Sequence, residues 1–276
     1  MWWIADKVAY RNRDDFVRVY IGSELVWSKD QPNNFIYYTS VNNNVVTPYS
    51  GWSAMDQFGA NIVSNTYSDG LGVIVFDAPV TRVGAQAFRN KVNLNWISLP
   101  DSAVSIEYEA FYGCSNLGSI KMPTSYDFNS SAGTSAFEGC SNLGSVYLDN
   151  ITNIPHNCFF NCISFREVVI PSTVTAIYAD AFGNYPAQNG SLLEKVTIPS
   201  SVTYIGKGAF FNCVSLSEII VNAVTPPTLE YNSSLGSYTQ FENNAPGCLI
   251  KVPAASLSAY QTSSGWSTYA SRIVAQ

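Results

Sequence analysis

The sequence predicts a solenoid, in which one short supersecondary unit is copied and stacked to build a parallel β-sheet joined by helical turns. Three observations predict this fold class: a Phe that recurs at intervals of 22 to 28 residues, an apolar-x-apolar pair before each Phe, and a Pro that usually follows the pair. A period in the twenties matches one repeat unit. Because one unit cannot bury its own apolar face, the units have to stack.

The recurring Phe follows a small residue in every copy. The six pairs are Ala87-Phe88, Ala110-Phe111, Ala136-Phe137, Cys158-Phe159, Ala181-Phe182 and Ala209-Phe210. Ala permits close packing and Phe is large enough to fill the interior of a unit. We therefore expect a short helical or 3-10 turn at each pair, with the Phe side chain directed inward.

Eight apolar-x-apolar pairs predict eight strands with one buried face each, because side chains alternate along a strand. The pairs are Ile74/Phe76, Ile97/Leu99, Ile120/Met122, Val146/Leu148, Val168/Ile170, Val196/Ile198, Ile219/Val221 and Ile250/Val252. Pro cannot donate to a sheet ladder, so the Pro after five of these pairs ends its strand. The expected arrangement is one parallel sheet of all eight strands.

The ends of the chain do not repeat, and they divide it into four predicted parts. Residues 1–34 form an N-terminal hairpin segment and linker, because two strand-like runs flank Gly22-Ser23. Residues 35–72 form an N-terminal cap, since terminal units need a different outer face to stay soluble. Residues 73–222 form the solenoid, and residues 223–276 a C-terminal strand and helical cap, with Pro253 in the first turn of a helix.

The segments 168–184 and 196–221 contain the fullest copies of the unit, with the apolar pair, Pro, a second apolar pair and Ala-Phe at fixed spacings. They resemble the BspA-like leucine-rich repeat family of bacterial surface proteins. The resemblance covers about residues 73–253. It implies a right-handed solenoid with N- and C-terminal caps, located at the cell surface, with a role in adhesion or recognition and no catalytic residues.

Composition excludes several other classes. Charged residues make up only 12% of the chain, the net charge is −6, and Lys and Arg form no cluster, which argues against a nucleic-acid partner. No apolar run reaches the roughly 18 residues that a membrane span needs. The start of the chain lacks the basic and apolar regions of a secretory signal.

A second location therefore stays open beside the cell surface. The segment 19–27, with sequence VYIGSELVW, is similar to pieces of phage and mobile-element structural proteins. The alternative function is a structural or receptor-binding component of such a particle, with the N-terminal hairpin as the docking piece.

The cysteines and the single histidine predict no chemistry. Cys114, Cys140, Cys162 and Cys213 each follow a repeat Phe by three residues, which indicates a ladder of small buried thiols. A disulfide between adjacent positions of this ladder stays open on distance. His156 has no orienting third group near it, and the cysteines lack zinc-site spacing. We expect no enzyme activity, metal or cofactor.

The candidate site is the set of strand residues that face out between the inward ones, because they vary from unit to unit. The six candidates for a partner-contact face are Trp96, Lys121, Tyr147, Glu167, Lys195 and Glu218. Aromatic and cationic side chains dominate interface energetics, which favours the first three. In the alternative interpretation the last three, alternating in sign on adjacent strands, only neutralise one another. The predicted function is non-enzymatic recognition or adhesion, with a protein or glycan as partner.

Overall fold

The structure is a computed structural model that describes residues 32–49, 51, 54–128, 133–185, 190–237 and 239–276, together with the backbone of four short strands before residue 29. These strands are β1 (Trp2–Ile4), β2 (Val8–Tyr10), β3 (Arg18–Ile21) and β4 (Glu24–Ser28). β1 pairs antiparallel with β2, and β3 pairs antiparallel with β4. The second pairing joins the two strand-like runs of the predicted N-terminal segment.

The next strands build a five-stranded sheet that is only partly parallel. They are β5 (Phe35–Ser40), β6 (Ile62–Ser68), β7 (Leu71–Phe76), β8 (Leu94–Ser98) and β9 (Ser119–Lys121), and a short helix, α1 (Ala54–Phe58), precedes β6. The strand order is β6-β7-β5-β8-β9. Only β8 and β9 pair in parallel, and the other three pairings are antiparallel.

β7 corrects one prediction, because Ile74 and Phe76 were expected to begin the parallel sheet. Asp69 and Gly70 join β6 to β7 with positive φ angles of 51° and 85°. Two consecutive residues in this conformation form the tight turn of an antiparallel hairpin, for which Asp-Gly is a preferred sequence. The turn therefore places β7 in a hairpin with β6, and β5 separates it from β8.

The remaining strands, in chain order, are β10 (Asn153–Ile154), β11 (Glu167–Val169), β12 (Ala176–Ile177), β13 (Lys195–Ile198), β14 (Tyr204–Ile205), β15 (Glu218–Val221), β16 (Thr228–Leu229), β17 (Leu249–Val252) and β18 (Ile273–Ala275). One parallel sheet has the order β11-β13-β15-β17-β18, and we call it the second sheet. The shorter strands form another parallel sheet in the order β10-β12-β14-β16. Three successive repeats thus contribute a strand to both sheets, through the pairs β11/β12, β13/β14 and β15/β16.

The prediction of one continuous sheet of eight strands is wrong at the unit that contains Val146 and Leu148. Leu148 is buried, but no strand forms there, so β9 and β11 lie in different sheets. The hydroxyl of Tyr126 donates to the carbonyl of Tyr147 over 2.5 Å, and Asn150 Nδ2 donates to the carbonyl of Thr124 over 3.2 Å. Side chains thus bond backbone atoms at the point where a sheet ladder was expected.

The repeat Phe residues are buried, as predicted, and their rings form one stack through the core. Adjacent rings from Phe88 to Phe210 lie 5.1–5.5 Å apart with planes within 12° of parallel. Phe241, which the sequence pattern missed, continues the stack 5.9 Å beyond Phe210. Phe58 meets the first ring at 64° and Trp266 meets the last at 38°. Aromatic rings from the flanking segments thus adjoin both ends of the stack.

The turns that carry these Phe residues are joined by backbone hydrogen bonds. Within a turn, bonds such as Ala110 N–H to the carbonyl of Glu107 have the three-residue spacing of a 3-10 turn, as expected. Between turns, Phe88 N–H donates to the carbonyl of Ala110 over 2.7 Å, and Phe111 N–H to that of Ala136 over 2.8 Å. The Phe-bearing turns therefore stack with the same register as the rings.

The C-terminal segment contains two 3-10 helices, Ala254–Ser256 and Trp266–Arg272, on either side of α2 (Leu257–Thr262). Tyr260 and Trp266 are fully buried. The Tyr260 hydroxyl donates to the carbonyl of Ala223, and Trp266 Nε1 donates to that of Pro227, each over 2.7 Å. Within the described ranges, no helix has the length and apolar character to cross a bilayer.

Candidate functional site

The predicted contact residues do not lie on one sheet. Trp96 lies on β8 and Lys121 on β9, in the partly parallel five-stranded sheet. Glu167, Lys195 and Glu218 lie on the second sheet. Tyr147 is on the irregular segment between the two sheets and is 50% exposed. The break between the sheets therefore separates the candidates into two groups, with Tyr147 between them.

Trp96 corrects the prediction that its side chain faces solvent, since it is only 5% exposed. The strand before the repeats, β5, pairs with β8 and places Thr39 directly opposite Trp96 and Tyr37 opposite Ser98. Because directly opposite side chains share a face of the sheet, a residue of the N-terminal segment borders Trp96. A side chain this buried is unsuitable as a primary partner contact.

Lys121 is also less available than expected. Its ammonium group lies 3.2 Å from Asp101 Oδ1 and donates to the carbonyl of Leu99 over 3.0 Å. These bonds hold the side chain along the end of β8, and 19% of it is exposed. Lys121 therefore stabilises the junction between two repeats.

On the second sheet, Glu167, Lys195 and Glu218 lie directly opposite one another on successive strands. Lys195 Nζ lies 2.8 Å from Glu218 Oε1, and Lys251 forms a short ion pair with Glu218 Oε2. Hydrogen bonds from Lys195 and Lys251 lower the pKa of Glu218, and the bond to Glu218 raises the pKa of Lys195. In this charged row the neutralisation of the alternative interpretation is seen for Lys195 and Glu218, with Lys251 as a second partner, whereas Glu167 forms no ion pair in the described ranges.

Val169 is the functional candidate that the sequence prediction did not select. It occupies the position in its repeat that Tyr147 occupies in the preceding one, and it is 74% exposed. Its neighbours Val168 and Ile170 are buried, which fixes its side chain on the outer face. The signal was present in the sequence as a β-branched residue at an outward position. We call Tyr147 and Val169 the apolar row of the outer face.

The Phe-bearing turns present a different, polar surface. Glu109 Oε2 accepts hydrogen bonds from Arg89 Nη1 over 2.5 Å and from Gln86 Nε2 over 2.8 Å. The Arg89 guanidinium also lies 4.9 Å from the centre of the Tyr112 ring, close enough for a cation–π interaction. On the next Phe-bearing turn, burial raises the pKa of Glu138. Acidic, amide and aromatic groups therefore meet on this side.

His156 lies on the same side, and its ring contacts another aromatic ring. Its ring stacks 5.0 Å from that of Tyr178, with 27° between the planes. In the described part of the chain, no group of three or more His, Cys, Asp or Glu side chains is placed to hold a metal.

The cysteine ladder is confirmed, and all six thiols are free and buried. Cys114, Cys140, Cys162 and Cys213 each donate the thiol to the carbonyl of a Phe in the preceding repeat, over 2.9–3.3 Å. At the repeat of Phe241, Asn244 takes this position and donates to the carbonyl of Phe210 over 2.9 Å. The ladder therefore satisfies backbone carbonyls between repeats.

We expect no thiol of the folded protein to react with Ellman's reagent at pH 8. Burial raises the pKa of Cys114 and of Cys213 to about 12, and it raises the pKa of Cys140 well above its ordinary value. Below a raised pKa the thiol stays protonated, and only the thiolate is a nucleophile. Absorbance at the product wavelength should rise only in denaturant, where all six thiols react. Rapid labelling of the native protein would contradict this prediction.

Comparison with known proteins identifies the class. Residues 61–189 and 184–235 match the BspA-type leucine-rich repeat region, in six copies. The chain therefore belongs to the BspA-type leucine-rich repeat family. Leucine-rich repeats of this kind mediate protein interactions, and they typically serve as binding scaffolds.

Solved structures of other leucine-rich repeat proteins are similar to this chain. A leucine-rich cell surface protein from Faecalibacterium prausnitzii A2-165 is 25% identical, with a TM-score of 0.43 over 65% of this chain and 60% of that one, so this chain spans less than two thirds of its length. A T. pallidum leucine-rich repeat protein is 25% identical, with a TM-score of 0.32, and the match covers 64% of this chain and 67% of that one. A leucine-rich repeat protein from Bacteroides ovatus ATCC 8483 is 17% identical, with a TM-score of 0.28, and the match covers 91% of this chain and 70% of that one. No curated protein matches significantly.

Proposed function

We propose that this protein is a non-enzymatic recognition or adhesion protein of a bacterial surface, which binds a protein or glycan through the outer face of its strands. The stacked repeats would form a right-handed solenoid, and the segments at either end would act as caps. The contact surface consists of the apolar row, Tyr147 and Val169, together with the neighbouring charged row of the second sheet. Trp96 has no part in it.

The observation that supports this surface most strongly is the exposure of Tyr147 and Val169 at equivalent positions of successive repeats. Large apolar side chains gain free energy when a partner removes them from water, and Tyr is frequent among residues that dominate binding. Buried Leu148 and Val168 lie next to them in the chain and hold the backbone. A partner would therefore meet a fixed apolar row.

The charged row of the second sheet, beside the apolar row, favours specific binding over nonspecific electrostatic attraction. Glu218 is neutralised by Lys195 and Lys251, so the face has little net field there. Rim charges arranged in this way align a partner and contribute modest affinity. Binding through the apolar row should accordingly change little between low and physiological salt, because screening acts on exposed charges.

The absence of enzyme activity is proposed from the chemistry of the candidate nucleophiles and bases. Burial raises the pKa of the Cys158 thiol well above its ordinary value, although His156 is only two residues away. A protonated buried thiol is inert, and the His156 ring is engaged with Tyr178.

The test is a binding screen followed by a matched pair of double variants. Purified protein is applied to an array of glycans and to a panel of extracellular matrix proteins, and the affinity for each hit is measured. Tyr147→Ser with Val169→Ser should weaken binding at least tenfold, since two apolar anchors are lost. Val104→Ser with Tyr231→Ser is the control, because those residues are 56% and 51% exposed elsewhere on the molecule.

The control variant should bind within twofold of the wild type. Equal affinity of wild type and the Tyr147/Val169 variant would remove the outer face from the proposal. Equal loss in both double variants would show that general surface hydrophobicity, and not this row, determines binding.

A further inference from the structure

A hollow of about 390 Å³ lies where the segment before the repeats meets the first Phe-bearing turn. Its lining residues are Tyr49, Gln86, Arg89, Asn90 and Lys91. The hollow is open to solvent on one side, and its volume is comparable with that of small-molecule sites, roughly 300–1,000 Å³. Because it is built from a turn and not from the strands, it is distinct from the apolar row and does not rest on the proposed function.

The backbone around the hollow is held in place. Tyr49 N–H donates to the carbonyl of Ala87 over 2.8 Å, which fixes the segment before the repeats against the turn. Asn90 N–H donates to the carbonyl of Tyr112 over 2.7 Å, and Asn90 has a positive φ of 56°. Side chains that line the hollow therefore start from fixed backbone positions, as a preformed site requires.

The residues that line the hollow, taken together with Glu109, carry one net positive charge. Arg89 is paired with Glu109, and Glu109 is itself only 7% exposed. Lys91 forms no ion pair with any residue in the described ranges. Against the net charge of −6 of the whole chain, this hollow is a local site for an anion.

The remaining groups suit a sugar better than a simple anion. The side chain of Tyr49 is 40% exposed and offers an aromatic ring. Gln86 uses Nε2 on Glu109, which leaves its carbonyl oxygen as an acceptor, and the Asn90 amide can both donate and accept. Hydroxyl groups both donate and accept, so they suit such mixed partners, whereas acetate oxygens only accept and would leave the Gln86 oxygen without a donor.

We propose that this hollow binds one carboxylated sugar residue, of the uronic acid class. The Lys91 ammonium group pairs with the sugar carboxylate, and the donors of Arg89 that Glu109 does not use support it. Gln86 and Asn90 bond the hydroxyls. The ring of Tyr49 packs against the apolar face of the sugar. A longer acidic peptide would need an extended groove, which a hollow of this size does not provide.

Isothermal titration with glucuronic acid tests the proposal, with glucose as the neutral match. The wild type should bind glucuronic acid at least tenfold more tightly than glucose, because a charge-assisted bond is lost with the carboxylate. Lys91→Gln should weaken glucuronic acid binding roughly tenfold, and Lys91→Arg should restore most of it. Lys207→Gln, on the turn of a later repeat, is the control and should bind like the wild type.

Two further ligands separate the sugar site from a plain anion site. Sodium acetate and inorganic phosphate should bind at least tenfold more weakly than glucuronic acid, and Tyr49→Ala should reduce glucuronic acid binding alone. Failure of the wild type to bind glucuronic acid at millimolar concentrations overturns the proposal, as does equal binding of acetate. Thermal melting of each variant confirms folding. Neither failure would affect the outer face, which the Tyr147/Val169 variant tests separately.

Discussion

Replacing Phe137 with alanine is expected to lower the free energy of unfolding by about 3–5 kcal/mol. The ring is fully buried, between Phe111 at 5.1 Å and Phe159 at 5.5 Å, and Phe128 meets it edge-on at 6.2 Å. Alanine would leave a cavity between two rings that are fixed by their own repeats. It would also remove two stacked contacts, each contributing about 0.5–1.5 kcal/mol.

Equilibrium denaturation in urea, followed by far-ultraviolet circular dichroism, measures this loss. Phe137→Leu keeps most of the volume and should cost less than half as much as alanine. Tyr147→Ala is the control from the next unit, and because its side chain is exposed it should stay within about 0.5 kcal/mol of the wild type. A loss below about 1 kcal/mol for Phe137→Ala would contradict the view that the stack is the core of the repeats.

The effect should also be local, because each repeat contacts only its neighbours. The amide of Phe111 bonds the carbonyl of Ala136, and the amide of Phe137 bonds that of Cys158. Hydrogen exchange at these amides should accelerate most in the Phe137→Ala variant. Uniform acceleration along the whole chain would indicate that the repeats unfold as one unit.

The Phe stack could be predicted because a residue that recurs at a fixed period has the same environment in every copy. Phe241 escaped that prediction because Gln240 stands where the other copies have Ala or Cys. A weaker signal was present two and three residues later. Asn243 matches Asn212 of the preceding copy and bonds its side chain over 2.8 Å, and Asn244 replaces the ladder cysteine.

Exposure on the outer face could be predicted only in part, because alternation sets the direction of a side chain but not what packs on it. For Lys195 and Glu218 the direction was right, since both lie on the outer face and pair there. For Trp96 the alternation pattern was not sufficient to predict exposure. The pairing of β5 with β8 joins residues about 57 positions apart in sequence. No local pattern contains that contact.

The missing strand at Val146 has a similar origin. The apolar alternation there is intact, but the Tyr126 hydroxyl, from the preceding unit, occupies the carbonyl of Tyr147. Strand pairing needs neighbouring backbones within ladder distance as well as the right side chains. The competing hydroxyl comes from Tyr126, three residues after Pro123, where the preceding copy has Ala103 three residues after Pro100.

Gly206→Ala is the other substitution for which we expect a large loss, about 3 kcal/mol, at the upper end of the range for overpacking. A Cβ on Gly206 would lie 2.3 Å from the amide nitrogen of Ala179, 2.6 Å from the carbonyl carbon of Tyr178 and 2.8 Å from Ala179 Cα. All three atoms are backbone of the preceding repeat, so no side chain can rotate away. The two repeats would have to separate.

Gly118→Ala is the matched control, because its Cβ would meet nothing closer than Asn95 oxygen at 3.8 Å. Neither glycine has a positive φ, so the pair isolates steric contact from backbone conformation. The control should change the free energy of unfolding by less than about 0.5 kcal/mol. Separation of the repeats at Gly206 would also lengthen the hydrogen bond from Gly206 N–H to the carbonyl of Ile177, which is 2.7 Å. It would increase the distance between the rings of Phe182 and Phe210, which is 5.4 Å. Equal melting temperatures for both variants would therefore show that backbone contact does not set the distance between repeats.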